Sequence, residues 1–229
     1  MSAAALGTVA VLGGTGEEGR GLAVRWSAAG LDVILGSRQA SRAEGAAAEV
    51  AAISGGQVAG MANTAAAARC AIAVVSTPFS GLDETLRQCA AGLRDKLVVS
   101  AVIPLVRDES GLSIADIKEG SAAQRCAALL PESRVGAAFH TVSARLLQEL
   151  DHSLSEDIPV LANSADDRET VVALAGALGA RGVAVGSLSL APYVEGLVPL
   201  LVSINRLHKT RAGVRFTGLL SPEPFVMQD

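Results

Sequence analysis

The 229-residue chain is half hydrophobic but only 3% aromatic, so its interior must be filled by aliphatic side chains, which suits helices packed closely on strands. A formal net charge of −4 excludes a global basic field for nucleic acid or an anionic membrane, and any phosphate must be held locally. Cys70, Cys89 and Cys126 lack C-x-x-C spacing and have no Cys/His cluster around them, which predicts buried reduced thiols and no metal site.

Residues 8–20, TVAVLGGTGEEGR, pass from an apolar run into glycines and then into a helix-forming segment, residues 17–29, that stops at Gly30. Gly14, Gly16 and Gly19 fit the G-x-G-x-x-G spacing, which allows a tight turn, a close approach of backbone to a pyrophosphate, and helix–strand packing. Free N–H groups at such a helix start, with the positive end of its dipole, form an anion site. Residues 32–35 read as the second strand, with Gly36, Ser37 and Arg38 at its carboxyl end. An NAD-preferring site carries an acid there to bind the ribose 2′-hydroxyl. This chain has instead the Ser37 hydroxyl, the Arg38 guanidinium and, four residues on, Arg42, a set suited to a 2′-phosphate and hence to NADP.

Residues 41–52 read as helix, residues 57–60 as a short third strand, and Asn63 as the cap of a helix ending at Arg69. The next strand, residues 71–75, is uninterrupted and apolar, and it runs into Ser76, Thr77, Pro78 and Phe79. That loop lies at the carboxyl end of a central strand, where an open α/β sheet places its ligand, and Phe79 is available either to a nicotinamide ring or to the core. A helix over residues 82–91, a fifth strand over 97–100 and a proline-bearing loop over 101–105 follow. Residues 108–120 read as polar and irregular, 121–130 as helix, and 134–139 as the sixth strand, with His140 and Thr141 beyond it. Residues 158–162 and 182–185 bracket a helix over 166–178; residues 190–208 have helical apolar spacing, and residues 213–218 are expected to form a closing strand. The fold class is therefore α/β, a Rossmann-type doubly wound parallel sheet over residues 1–150, with a small C-terminal α+β domain over residues 151–229 completing the substrate crevice.

The N-terminus has no basic region before its apolar run, and residues 193–204 are interrupted by Glu195 and Pro199. Neither a signal peptide nor a membrane span is expected, and the chain reads as cytoplasmic. The apolar face of residues 193–207 is a candidate surface for a homo-oligomer, a dimer, or for packing within the chain.

These residues together resemble the F420-dependent NADP reductase family. The resemblance covers nearly the whole chain and rests on VAVLGGTGEEGRGLAVRW (9–26), GSR (36–38), STPF (76–79), VVSAVIPL (98–105), FHTV (139–142) and VEGLVPLL (194–201). It implies an oxidoreductase that passes a hydride between C4 of the nicotinamide and C5 of the deazaflavin coenzyme F420, with the small-molecule rings stacked in the crevice. It places Thr15, Gly16 and Glu17 at the pyrophosphate, Ser37, Arg38 and Arg42 at the 2′-phosphate, and Thr77, Pro78 and Phe79, next to Ser76, near the nicotinamide. His140, Thr141 and Val142 would meet the deazaflavin. No nucleophile, metal or paired carboxylate is needed for such a transfer, because catalysis comes from alignment and exclusion of water. No catalytic residue is therefore assigned; His140 is expected as an acceptor contact, with a structural hydrogen-bonding role and an acid/base role as the alternatives. One departure stands out: where the family carries Asn and Arg in an S-N-x-R stretch, this chain has Ser189, Leu190, Ala191 and Pro192. Leu190 would then face the acceptor, which leaves open another flat acceptor such as a pterin, a flavin or a biosynthetic intermediate.

Overall fold

The computed structural model describes residues 6–109 and 111–219. Strand β1 (Val9–Leu12) turns into helix α1 (Glu17–Ala28), β2 (Val33–Ser37) into α2 (Ala40–Ser54), and β3 (Val58–Ala62) into α3 (Asn63–Arg69). Then come β4 (Ile72–Val75), α4 (Leu82–Leu93), β5 (Leu97–Ser100) and a hairpin of β6 (Leu105–Asp108) and β7 (Gly111–Ile114). Helix α5 (Ala122–Leu129), β8 (Arg134–Ala137), α6 (Ala144–Gln148), β9 (Asp157–Ala162), α7 (Ala165–Ala177), β10 (Arg181–Gly186) and α8 (Ala191–His208) complete the order.

Eight strands form one sheet in the order β10-β9-β8-β5-β4-β1-β2-β3. From β3 to β8 all neighbours are parallel, and the direction of winding reverses between β1 and β4. Strands β1, β4 and β5 are buried on both faces, and alternate residues supply the two layers of core. Val9 and Val11 pack with Leu22, Trp26, Val74 and Val99, whereas Ala10 and Leu12 pack with Ala73, Val75, Leu86 and Val98. Each fully buried Val or Leu contributes ~1.5–3 kcal/mol to holding these layers. Trp26 fixes α1 against the far half of the sheet: its ring meets Phe139 edge to face with centroids 5.4 Å apart, and its Nε1 donates to the Leu174 carbonyl at 2.9 Å.

The C-terminal segment, expected as a small domain over residues 151–229, supplies β9 and β10 to the main sheet, because β9 pairs antiparallel with β8 through Gly136–Ala162 and Ala137–Leu161. Its last ten residues lie outside the described residues. The stretch expected to be irregular after Ile103 forms the β6–β7 hairpin, in which Leu105 pairs with Ile114 and Arg107 with Leu112. The expected sixth strand stops at Ala137, since Phe139 turns out of the ladder with φ +73°. Residues 213–218 form no strand; they are pinned by the Asp157 N–H donating to the Val214 carbonyl and the Phe216 N–H donating to the Asp157 carboxylate. Helix α6 has no counterpart among the expected elements. It is held by Arg25, whose buried guanidinium donates to the carbonyls of Leu146, Leu147, Glu149 and His152.

Candidate functional site

The reversal of winding between β1 and β4 opens a crevice at the carboxyl ends of the strands, and a cavity of about 910 Å³ lies there. Its floor is the turn between β1 and α1. Gly13, which the spacing argument passed over, makes that turn possible with φ +73°, and a Cβ there would sit 2.4 Å from Thr77 Cγ2. A Cβ on Gly14 would meet Leu35 Cδ2 at 2.6 Å, and one on Gly19 would meet Gly14 Cα at 2.5 Å. These two glycines therefore serve close packing and do not line the cavity. Gly16 is the opposite case: it is the N-cap of α1 in an ordinary extended conformation, and a Cβ there meets nothing within 4 Å. It lines the cavity beside Thr15, Glu17 and Glu18, so the free amides of the first turn of α1 open towards it.

At one side Ser37, Arg38 and Arg42 line the same space. Ser37 is buried at the end of β2, while both arginines are exposed and make no ion pair among the described residues. Asn63 is the first residue of α3 rather than its cap, which is Ala62. Its Oδ1 accepts from the Gly13 N–H at 3.1 Å, so the side chain braces the turn and lines the cavity.

On the other side Ser76, Thr77, Pro78 and Phe79 line the cavity from the end of β4, and Ala101, Val102, Ile103 and Leu105 from the end of β5. His140 closes it from the segment after β8. The polar atoms here lack partners: Ser76 Oγ, Thr77 Oγ1, both ring nitrogens of His140 and Thr141 Oγ1 are sealed from solvent without a hydrogen bond. Buried polar atoms left this way cost ~1–3 kcal/mol each, and a ligand that bonds them recovers that cost. Burial pushes the His140 imidazole down to about 4, so the ring is neutral at ordinary pH. Glu18 also lines the cavity with Oε1 unpartnered, and burial alone pushes its carboxyl up to about 8.

Of the expected site residues, Thr15, Gly16, Glu17, Ser37, Arg38, Arg42, Ser76, Thr77, Pro78, Phe79 and His140 are thus brought together. Thr141 is buried behind His140 without lining the cavity, Val142 packs in the core, and Leu190 ends a 3-10 turn away from the cavity. Residues 151–219 contribute none of the described lining. Sequence reasoning missed Glu18, Asn63, Glu84 and Thr85 as lining residues. Acids at 17 and 18 read as ordinary partners of the helix dipole, and nothing local shows which of them is buried.

Chemically the arrangement offers an anion cradle at a helix N-terminus, two free guanidinium groups nearby, and an apolar slot bounded by Phe79, Ile103 and Leu105. Among the described residues no group of His, Cys, Asp or Glu is placed to hold a metal ion.

Residues 8–104 match the family model described as NADP oxidoreductase, coenzyme F420-dependent. The F420-dependent NADP reductase of Methanothermobacter thermautotrophicus is 37% identical over 94% of this chain and 97% of its own length. That of Methanothermobacter marburgensis is 34% identical over 92% of this chain and 98% of its own length. Among solved structures, a candidate F420-dependent NADP reductase from Arthrobacter sp. FB24 superposes with a TM-score of 0.77 at 22% identity, covering 89% of this chain and 95% of the other, a likeness of fold.

Proposed function

The chain belongs to the coenzyme F420-dependent NADP oxidoreductases, and from that premise we propose that it transfers a hydride between NADP(H) and F420 in the crevice at the carboxyl edge of the sheet. The observation that carries this reading is one cavity of about 910 Å³ shared by the α1 N-terminus, the Ser37–Arg38–Arg42 set, the loop after β4 and His140. Nicotinamide and deazaflavin supply the redox chemistry themselves, so the chain's task is to bind, align and dry them.

In this reading the first-turn amides at Thr15, Gly16 and Glu17 take the pyrophosphate, and the open space over Gly16 admits it. Ser37, Arg38 and Arg42 take the 2′-phosphate, and no carboxylate among the residues at the end of β2 opposes it. Ser76 and Thr77 offer unpartnered hydroxyls to the nicotinamide end, with Pro78 and Phe79 beside them. His140, neutral and buried, offers one donor and one acceptor to the acceptor ring without adding a charge. Alignment and exclusion of water supply ~7–11 kcal/mol of such a barrier.

The apolar stretch at Leu190 motivates a second acceptor class, but Leu190, Ala191 and Pro192 stand off the lining, which favours F420 over a pterin, a flavin or another planar intermediate. Three free, buried cysteines suit a reducing compartment and support a cytoplasmic enzyme. Mixing the protein with reduced F420 and NADP, while following the absorbance of both carriers, tests the reading. Tight NADP binding with no absorbance change would overturn it.

A further inference from the structure

Glu18 lines the crevice with no task in holding either carrier. Its Oε1 is sealed from solvent without a hydrogen bond, and no cation pairs with it among the described residues. The periodicity of α1 sets where it stands. Residues 18, 21, 22 and 25 fall on one stripe of the helix. Leu22 is buried in the core with Phe139, Val142 and Leu146. A Cβ on Gly21 would meet Leu147 Cβ at 2.6 Å and the Ala144 carbonyl at 2.9 Å, and Arg25 donates to the Leu146 carbonyl at 3.0 Å. That stripe therefore faces α6, while Arg20 turns the other way to Glu49 of α2. Glu18 heads the stripe at the crevice end of α1, on the side from which residues 140–143 lead into α6. His140 lines the crevice from that same segment, so Glu18 and His140 stand on the acceptor side, away from Arg38 and Arg42 at the end of β2.

The reaction needs a proton as well as a hydride. A hydride arriving at C5 of a deazaflavin leaves the ring system anionic, and a proton at N1 makes the reduced carrier neutral. A crevice that excludes water must supply that proton from its own wall. Resting on the hydride-transfer reading, we propose that Glu18 is the donor, a catalytic residue for the acceptor half of the reaction. As the C4–H bond of NADPH breaks and its electron pair and hydrogen form the new C–H bond at C5, the Glu18 O–H bond breaks and its proton forms the N1–H bond. NADPH is oxidised and F420 reduced. The carboxylate left on Glu18 faces the positive charge gained by the nicotinamide ring, and water returns the proton once the carriers leave. In the opposite direction the Glu18 carboxylate takes the N1 proton as the hydride departs.

The other groups of the wall are unsuited to this role. Burial holds the His140 imidazole near 4, so at ordinary pH the ring has no proton to spare and orients the acceptor instead. Glu17 and Glu84 are exposed to solvent, and Glu84 already accepts from Gln88 at 3.2 Å. Arg38 and Arg42 lie at the 2′-phosphate end, and the hydroxyls of Ser76, Thr77 and Thr141 can relay a proton but not supply one. From the helices packed on α1, Arg145 of α6 pairs with Glu149, and Glu49 of α2 pairs with Arg20. Among the described residues of this wall, Glu18 alone combines burial, a free oxygen and a proton held at neutral pH, since burial raises its carboxyl to about 8.

Glu18→Gln keeps the shape and loses the transferable proton. With NADPH and F420 bound at pH 7, single-turnover reduction of F420 should slow about 100-fold or more, the usual loss of a general acid, while the Kd for NADP changes less than about threefold. In the unaltered protein, reduction of F420 should slow as pH rises past about 8 and oxidation of reduced F420 should slow as pH falls below it; Glu18→Gln should lose both slopes. Without either carrier, the infrared carbonyl band of a neutral carboxyl should fade through about the same pH, and subtracting the Glu18→Gln spectrum separates it from that of Glu195. Full-rate transfer by Glu18→Gln, or a slowed variant that keeps both slopes, overturns the proposal and leaves the hydride-transfer reading standing. No transfer by the unaltered protein with both carriers bound overturns the two together. Should Glu18→Gln melt early, the unaltered protein decides: rates flat in pH, or no neutral carboxyl at pH 7, overturn the proposal.

Discussion

Alanine at Gly19 and alanine at Gly16 should fail in different ways, although the two glycines belong to one motif. A Cβ at Gly19 falls 2.5 Å from Gly14 Cα and 2.8 Å from both the carbonyl carbon and oxygen of Gly14. That is about 1 Å inside the ~3.5–4 Å contact optimum. The obstacle is backbone on both sides, so no rotamer relieves it and α1 must back away from β1. Overpacking of this kind costs ~1–3 kcal/mol, which for a chain of this size lowers Tm by roughly 2–12 °C. At Gly16 the methyl meets nothing and φ is −77°, so the fold should lose less than ~1 kcal/mol, the cost of a poorer cap. The methyl instead occupies the space over the first-turn amides, and NADP affinity should fall at least tenfold, ~1.4 kcal/mol. Thermal melts with and without NADP, together with a calorimetric titration, read both quantities. Native melting of Gly19→Ala would refute the packing argument, and native NADP affinity in Gly16→Ala would refute the placement of the pyrophosphate.

Three further outcomes follow from the same geometry. Arg38→Ala should raise KM for NADP by about 10- to 100-fold, from a charge-assisted contact of ~1.5–3 kcal/mol, and leave KM for NAD almost unchanged; equal effects on both nucleotides would remove Arg38 from the 2′-phosphate. Glu195 is fully buried and its carboxyl is pushed up to about 7, burial outweighing the bonds from Ala122 and Ala123. With the folded value raised, its contribution is fully present below about 4.5, the ordinary value, and is lost as pH rises through about 7, by ~3 kcal/mol. Urea melts at pH 5 and pH 8 should therefore show Glu195→Gln gaining relative to the unaltered protein at the higher pH, and a constant difference would contradict the sign. Asp157 is 2% exposed and accepts from Arg181 Nε at 2.7 Å and Nη2 at 2.6 Å, which holds its carboxyl below the usual range. Arg181→Ala leaves that buried carboxylate with the Phe216 N–H as its remaining donor and should destabilise the fold at pH 7. The stability given by the pair exists above the ordinary carboxylate range and is lost on acidification, so the gap between variant and unaltered protein should narrow towards pH 3; a gap that widens would refute the pairing.

What the sequence made legible was local. The βα start, the cations after β2 and the loops after β4 and β5 are each written in a few neighbouring residues, because strands buried on both faces read as apolar runs and their ends are marked by glycine, serine or proline. The parts that were hidden depend on distant partners. Helix α6 is five residues long, too short for a periodicity signal; Ser143 caps it, but its carbonyls are held by Arg25, more than a hundred residues earlier. Asn63 has the residue type of a cap, and only the folded chain shows its oxygen turned to Gly13. The antiparallel pairing that draws β9 and β10 into the main sheet is likewise a tertiary event, and a late βαβ pattern reads equally well as a separate domain. Glu18 shows the limit most plainly, since its neighbour Glu17 has the same type, the same helix turn and an exposed side chain.

The most direct test of the account is a single-turnover experiment in which the protein, saturated with NADP, is mixed with reduced F420 and both carriers are followed by absorbance. The account predicts that oxidised F420 and NADPH appear together, one for one, in the same kinetic phase. Binding of both carriers with neither absorbance changing would contradict it, and would move the search to another acceptor in the same crevice.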